Sequence, residues 1–128
     1  MIQLKSKREL EKMREAGRHV GEILQRLGEL AKPGVTTAEL DRAAHAEIRA
    51  RKLESSFLGY APGDNPPFPA VICASVNEEI VHGIPGGRRL VEGDLLKIDF
   101  GAICDGFHAD AAITVPIGEV DEESRRLV

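Results

Sequence analysis

One dipeptide constrains this chain more than any other feature. Asp105-Gly106 separates two alternating runs, so that Leu95 to Gly118 reads LLKIDFGAIC, then Asp-Gly, then FHADAAITVPIG. Asp and Gly tolerate the positive φ angles that a tight two-residue turn demands, and the runs on either side have strand periodicity, which predicts a β-hairpin. With a two-residue turn, Asp99 stands opposite Ala112 and Gly101 opposite Asp110. Side chains alternate along a strand, so Asp99 and Asp110 become diagonal neighbours on one face, together with Lys97, Ile103, His108 and Thr114. The other face carries Leu96, Ile98, Phe100, Ala102, Phe107, Ala109, Ala111, Ile113 and Val115. It is wholly apolar and is expected to face the core. A one-residue bulge would instead send the two carboxylates to opposite faces.

Two adjacent carboxylates on a rigid sheet repel each other. The repulsion is relieved by a raised pKa, a basic partner or a cation. A shared divalent metal is one resolution, and a solvated pair beside Lys97 is another. His82, in Val81-His82-Gly83-Ile84-Pro85, sits between turn-forming residues, where it suits either an acid–base role or a structural one. His108 is on the Asp face, as a ligand or as a hydrogen-bond partner of a carboxylate.

Upstream of the hairpin the spacing predicts two helices. Ser6 with Glu9 makes a capping box, followed by Leu10, Met13, Val20, Leu24, Leu27 and Leu30 at helical spacing, and Lys32-Pro33-Gly34 stops the run. Thr36 with Glu39 opens a second helix over about residues 37–52, with Leu40, Ala43, Ala44 and Ile48 as its buried stripe. Residues 54–69, ESSFLGYAPGDNPPFP, are too rich in proline for regular structure and read as a loop. Strand-like material follows from Ala70 to Pro85, and DEESRRLV at the end reads as the opening of a further helix. The loop holds Phe57, Tyr60 and Phe68, three of the five aromatic residues (one Tyr and four Phe) in the chain. It is either a packing flap or the wall of a pocket.

Composition narrows the function classes. The chain has 128 residues, 42% of them hydrophobic and 30% charged, which is the balance of one globular domain with a real core. A formal charge of −4 argues against direct nucleic-acid binding, and no apolar run is long enough to span a membrane. No secretory h-region is visible after Met1, so Cys73 and Cys104 read as free thiols in the cytoplasm.

The KPG turn with TTAEL after it, the SVNEEIVHGIP stretch, and LLKIDFGAICDGFHADAAIT with its two aspartates occur in the same order as in a known family. By these motifs the whole chain, residues 1–128, resembles the N-terminal half of type I methionine aminopeptidases. The resemblance implies an α+β architecture, half of a pita-bread (creatinase/aminopeptidase) fold. In it, two helices pack on an antiparallel sheet, and a β-hairpin carries the metal-ligand Asp pair. It implies two divalent metal ions in the complete enzyme (Co, Mn, Fe or Zn), with Asp99 and Asp110 as ligands. It also implies His82 as a catalytic, substrate-contacting histidine, and Phe57, Tyr60, Phe68 and Cys73 as the wall of a methionine pocket.

The implied reaction is removal of initiator methionine from nascent chains by a dinuclear-metal-activated hydroxide. The family's other ligands, a His and two Glu, have no counterpart in this sequence, so the 128-residue chain is expected to be inactive alone and to self-associate through the surface that the other half covers. The loop between Tyr60 and Phe68 is longer than in short members, and Ala109 stands where glycine is usual. Two alternatives accompany this reading: a non-catalytic binding module or homodimer of half-domains, and a proline-specific peptidase of the same fold.

Overall fold

A computed structural model describes all 128 residues. The elements run α1 (Lys7–Leu30), α2 (Thr37–Ala50), β1 (Glu54–Ser55), β2 (Ile72–Val76), β3 (Leu95–Cys104), β4 (Phe107–Pro116) and α3 (Glu122–Leu127). Both capping boxes form. The Ser6 and Thr36 side chains accept from the Glu9 and Glu39 amides, while each glutamate reaches back to the cap residue's own N–H. Four backbone donors are satisfied this way, which sets where each helix starts.

The hairpin has the expected register, with Asp99 opposite Ala112 and Gly101 opposite Asp110. The turn works because Asp105 and Gly106 both take positive φ, +51° and +82°. β3 is the central strand. β4 lies along one side, while β2 and the two-residue β1 share the other, all antiparallel. Leu96, Ile98, Phe100 and Ala102 face inward and are buried against Val20, Ile23, Leu24 and Leu27 of α1. Full burial of each large apolar side chain contributes about 2 kcal/mol, so the face between α1 and the hairpin is the main source of cohesion. Leu40 and Ala44 of α2, with Ile72, Ala74 and Val76 of β2, extend the same core.

Several elements differ from the sequence expectation. Leu10, Met13 and Leu30 are exposed although they have the spacing of core residues. The helix is anchored at its centre instead, where Ala16 and Ile23 join the buried set. α2 stops at Ala50 rather than near residue 52, since Lys52 adopts a left-handed φ of +55°. Glu54 and Ser55, expected in a loop, pair with Ile103 and Ala102. Of the strand-like material from Ala70 to Pro85, only Ile72–Val76 is a strand, because Asn77 turns left-handed at φ +53° and takes the chain off the sheet.

Candidate active site

The hairpin's second face is left uncovered by the helices, and a cleft of about 720 Å³ opens over it. Three segments build it. β3 and β4 supply the floor with Asp99, Asp110 and His108. The proline-rich loop supplies Ser56, Phe57, Tyr60 and Phe68, and the segment after β2 supplies His82 and Ile84. Cys73 reaches in from β2, where it pairs with Asp99 in the ladder. All eight residues singled out in the sequence therefore line one cleft: Phe57, Tyr60, Phe68, Cys73, His82, Asp99, His108 and Asp110.

Each wall has a local cause. The loop returns on itself through Gly59 N–H to Phe68 O (2.8 Å) and Phe68 N–H to Tyr60 O (2.9 Å). That folding brings Phe57 and Phe68 edge to face, ring centres 6.4 Å apart. Gly101 lets the loop lie on the sheet, since a Cβ there would sit 3.0 Å from Phe57 and 3.1 Å from Ser56. Ser56 Oγ is 3.1 Å from His108 Nδ1, which ties the loop to β4. His108 is thus engaged by a hydroxyl from the loop.

His82 is held in a left-handed conformation, φ +60°, which costs a non-glycine residue about 1 kcal/mol and persists only where neighbours impose it. The imposition comes from the next residue. Gly83 N–H donates to the buried Ser75 Oγ at 3.0 Å, and Gly83 O accepts from Ala74 N–H at 2.9 Å. Gly83 approaches β2 so closely that a Cβ on it would lie 2.2 Å from Ala74 O. Sequence reasoning missed Ser75. It stands beside a glycine that is distant in sequence, and no spacing rule connects the two.

The electrostatics centre on the carboxylate pair. Burial, then a shared hydrogen bond with Asp110 and the charge of that neighbour, push the Asp99 carboxyl up to about 6, while His82 pulls it the other way. Asp99 Oδ1 is buried without a hydrogen-bond partner. A buried, unpartnered anionic oxygen beside a second carboxylate is costly as it stands, and a divalent cation would satisfy both defects. The donor set is therefore fit for a hard or borderline metal ion. Cys73 is not part of that set at neutral pH. Burial, with Asp99 and Asp110 nearby, raises its thiol to about 11, so it remains a neutral, soft wall residue.

Comparison with known proteins agrees with this geometry. Residues 11–128 match the model of metallopeptidase family M24. The chain is 49% identical over 129 aligned residues to a methionine aminopeptidase of Clostridium acetobutylicum, covering all of this chain and 50% of the relative. It is 44% identical to methionine aminopeptidase 1 of Bacillus subtilis, again at 50% of that protein's length. The crystal structure of methionine aminopeptidase from Rickettsia prowazekii superposes with a TM-score of 0.92 at 34% identity, over the whole of this chain and 50% of that one. A Bacillus anthracis Xaa-Pro dipeptidase shares the fold, with a TM-score of 0.75 at 18% identity. The chain thus spans about half the length of the curated relatives it matches, and its α+β fold is that of the pita-bread peptidases. With a family model covering nearly its whole length, the chain belongs to metallopeptidase family M24.

Proposed function

We propose that residues 1–128 form the N-terminal half of a cytoplasmic methionine aminopeptidase, which removes initiator methionine from nascent chains. The observation that carries this reading is the unpartnered Asp99 Oδ1 beside Asp110 at the floor of a cleft walled by Phe57, Tyr60 and Phe68. Asp99 and Asp110 would hold divalent metal. Once bound, such ions supply Lewis acidity toward the peptide carbonyl and a nucleophile at neutral pH. Everything else is work for the chain's own side chains. The aromatic wall excludes water and accepts a thioether, for which aromatic edges are favourable partners. Cys73, held neutral, adds a soft contact without competing for the cation. His82, next to the Gly83–Ser75 bond, lines the cleft, where its imidazole would hydrogen-bond the substrate near the scissile bond.

Within this chain the titratable groups lining the cleft are Tyr60, Cys73, His82, Asp99, His108 and Asp110. Two carboxylates are a thin ligand set for two divalent ions, so the chain alone holds metal loosely and lacks peptidase activity. The decisive experiment uses the complete protein that carries this chain, loaded with Mn²⁺ or Co²⁺ and offered a Met-Ala-Ser peptide. Release of methionine is expected, with kcat falling at least about a hundredfold in Asp110→Asn. Cleavage confined to peptides with proline in second place would overturn the assignment in favour of an Xaa-Pro peptidase. Absence of any cleavage would favour a binding module.

A further inference from the structure

A second cluster of metal-binding donors lies on the other side of the hairpin from the cleft. Glu15 and His19 of α1 and Cys104 at the end of β3 each bring a ligand atom to within 4.8 Å of the others. Glu15 and His19 are four residues apart, so they project from one helix face. Cys104 continues the inward row of Leu96, Ile98, Phe100 and Ala102, and α1 packs on that row. His19 and Cys104 are half-buried and Glu15 is exposed, so the cluster is anchored in the fold yet open at one side.

We propose that Glu15, His19 and Cys104 form a binding site for one borderline divalent transition-metal ion of the Zn²⁺ class. The site is independent of the Asp99–Asp110 pair and of the function proposed above. A carboxylate, an imidazole and a thiolate are the donor types this class of ion takes, and three of them leave a fourth tetrahedral position for water. The charges match as well, since a carboxylate and a thiolate together neutralise a dication. Burial, then the charges of Glu15 and Asp105, raise the Cys104 thiol above its ordinary range, with Arg18 opposing. A locality that resists one more anion favours a cation, and binding transfers the thiol proton to solvent.

Arg51 is the built-in competitor. Its Nη1 stands 3.0 Å from His19 Nδ1 and also donates to Glu22, while its Nε donates to Glu47 at 3.0 Å. Either ring nitrogen of His19 can take the ion, and in both cases the Nδ1 lone pair is lost to Arg51. The guanidinium then rests on the two glutamates it already holds.

The test uses Co²⁺ as the probe on the reduced 128-residue chain, read by thiolate-to-cobalt charge-transfer absorption. The aspartate pair has no thiolate ligand and is silent in this readout, and Cys73 is separated by substitution. A saturable band at one equivalent is expected, displaced by Zn²⁺ and retained in Cys73→Ser and Asp110→Asn. It should vanish in Cys104→Ser and weaken at least about tenfold in His19→Ala. No sulfur band, or one that survives Cys104→Ser and disappears in Cys73→Ser, overturns the proposal. Should Cys104→Ser fail to fold by circular dichroism, alkylation of the unmutated chain decides. Zn²⁺ should slow iodoacetamide labelling of Cys104 at least about tenfold, and unchanged labelling refutes the site.

Discussion

Asp99 and Asp110 stand diagonally across the β3–β4 ladder, Asp110 opposite Gly101 and Asp99 opposite Ala112, and both line the cleft. They share a hydrogen bond, and the Asp99 carboxyl is raised despite the opposing pull of His82. One buried oxygen of Asp99 is left without a hydrogen-bond partner.

Metal affinity should therefore depend on both carboxylates. Weak Mn²⁺ binding by the chain is expected, and Asp110→Ala is expected to abolish it in titration calorimetry. Tight binding, or binding indifferent to the substitution, would mean that further ligands complete the site.

The same pair makes stability depend on pH in the absence of metal. The Asp99 carboxyl is pushed up to about 6 in the fold against an ordinary value of 3.8, so between these values the folded chain holds a proton that the unfolded chain has released. The contribution of Asp99 to folding stability is then greatest below about pH 4 and falls as pH rises to about 6, above which it is gone, while Glu9, Glu22, Glu39, Glu47, Asp105 and Asp121, held below the usual carboxylate range, act in the opposite sense as pH falls toward 4. After allowance for solvent screening in an open cleft, the loss is about 1 kcal/mol. Denaturant melts with chelator at pH 4.5 and 7.5 should show it, and Asp99→Asn should flatten the difference. A stability difference between the unsubstituted chain and Asp99→Asn that stays the same over that interval would contradict the assigned burial of Asp99.

Gly83→Ala tests what holds His82. The new methyl would meet Ala74 O at 2.2 Å, and the backbone of β2 cannot give way cheaply. A loss of about 2–3 kcal/mol in stability is expected. Ser75→Ala should cost about 1–2 kcal/mol by leaving the Gly83 N–H without its buried acceptor. A chain that tolerates Gly83→Ala with an unchanged melting temperature would show that the segment is not pinned to β2.

The outer edge of β4 has ten residues and no strand beside it. An unpaired edge of that length tends to pair with another copy. Analytical ultracentrifugation of the chain should show mass rising with concentration in the micromolar range, and a proline at exposed Ala112 should suppress it. A sharp monomer at all concentrations would mean that the edge is protected by its own twist or charge.

Much of this protein is legible from its residues because the decisive signals are local. Asp105-Gly106 permits one tight turn, and alternation then places Asp99 and Asp110 on the same face without reference to anything distant. Ser6 with Glu9 and Thr36 with Glu39 start both helices for equally local reasons, since a cap needs only four consecutive residues. Periodicity was less informative about where α1 is buried. Leu10, Met13 and Leu30 have the spacing of core residues, but burial requires a partner surface, which periodicity alone does not locate.

Only the tertiary structure decided the rest. That Phe57, Phe68, Cys73 and His82 meet over the two aspartates depends on a loop folding back by its own backbone bonds and on Gly101 making room for it. That His82 is left-handed depends on Ser75 and Ala74, which capture Gly83 across a turn. That Glu15, His19 and Cys104 converge depends on the position of α1 along the hairpin. Alternation and capping are set by bonds between near neighbours and can be read in one dimension. A cleft and a ligand cluster are set by which faces exclude water together, and that is settled only when the whole core closes.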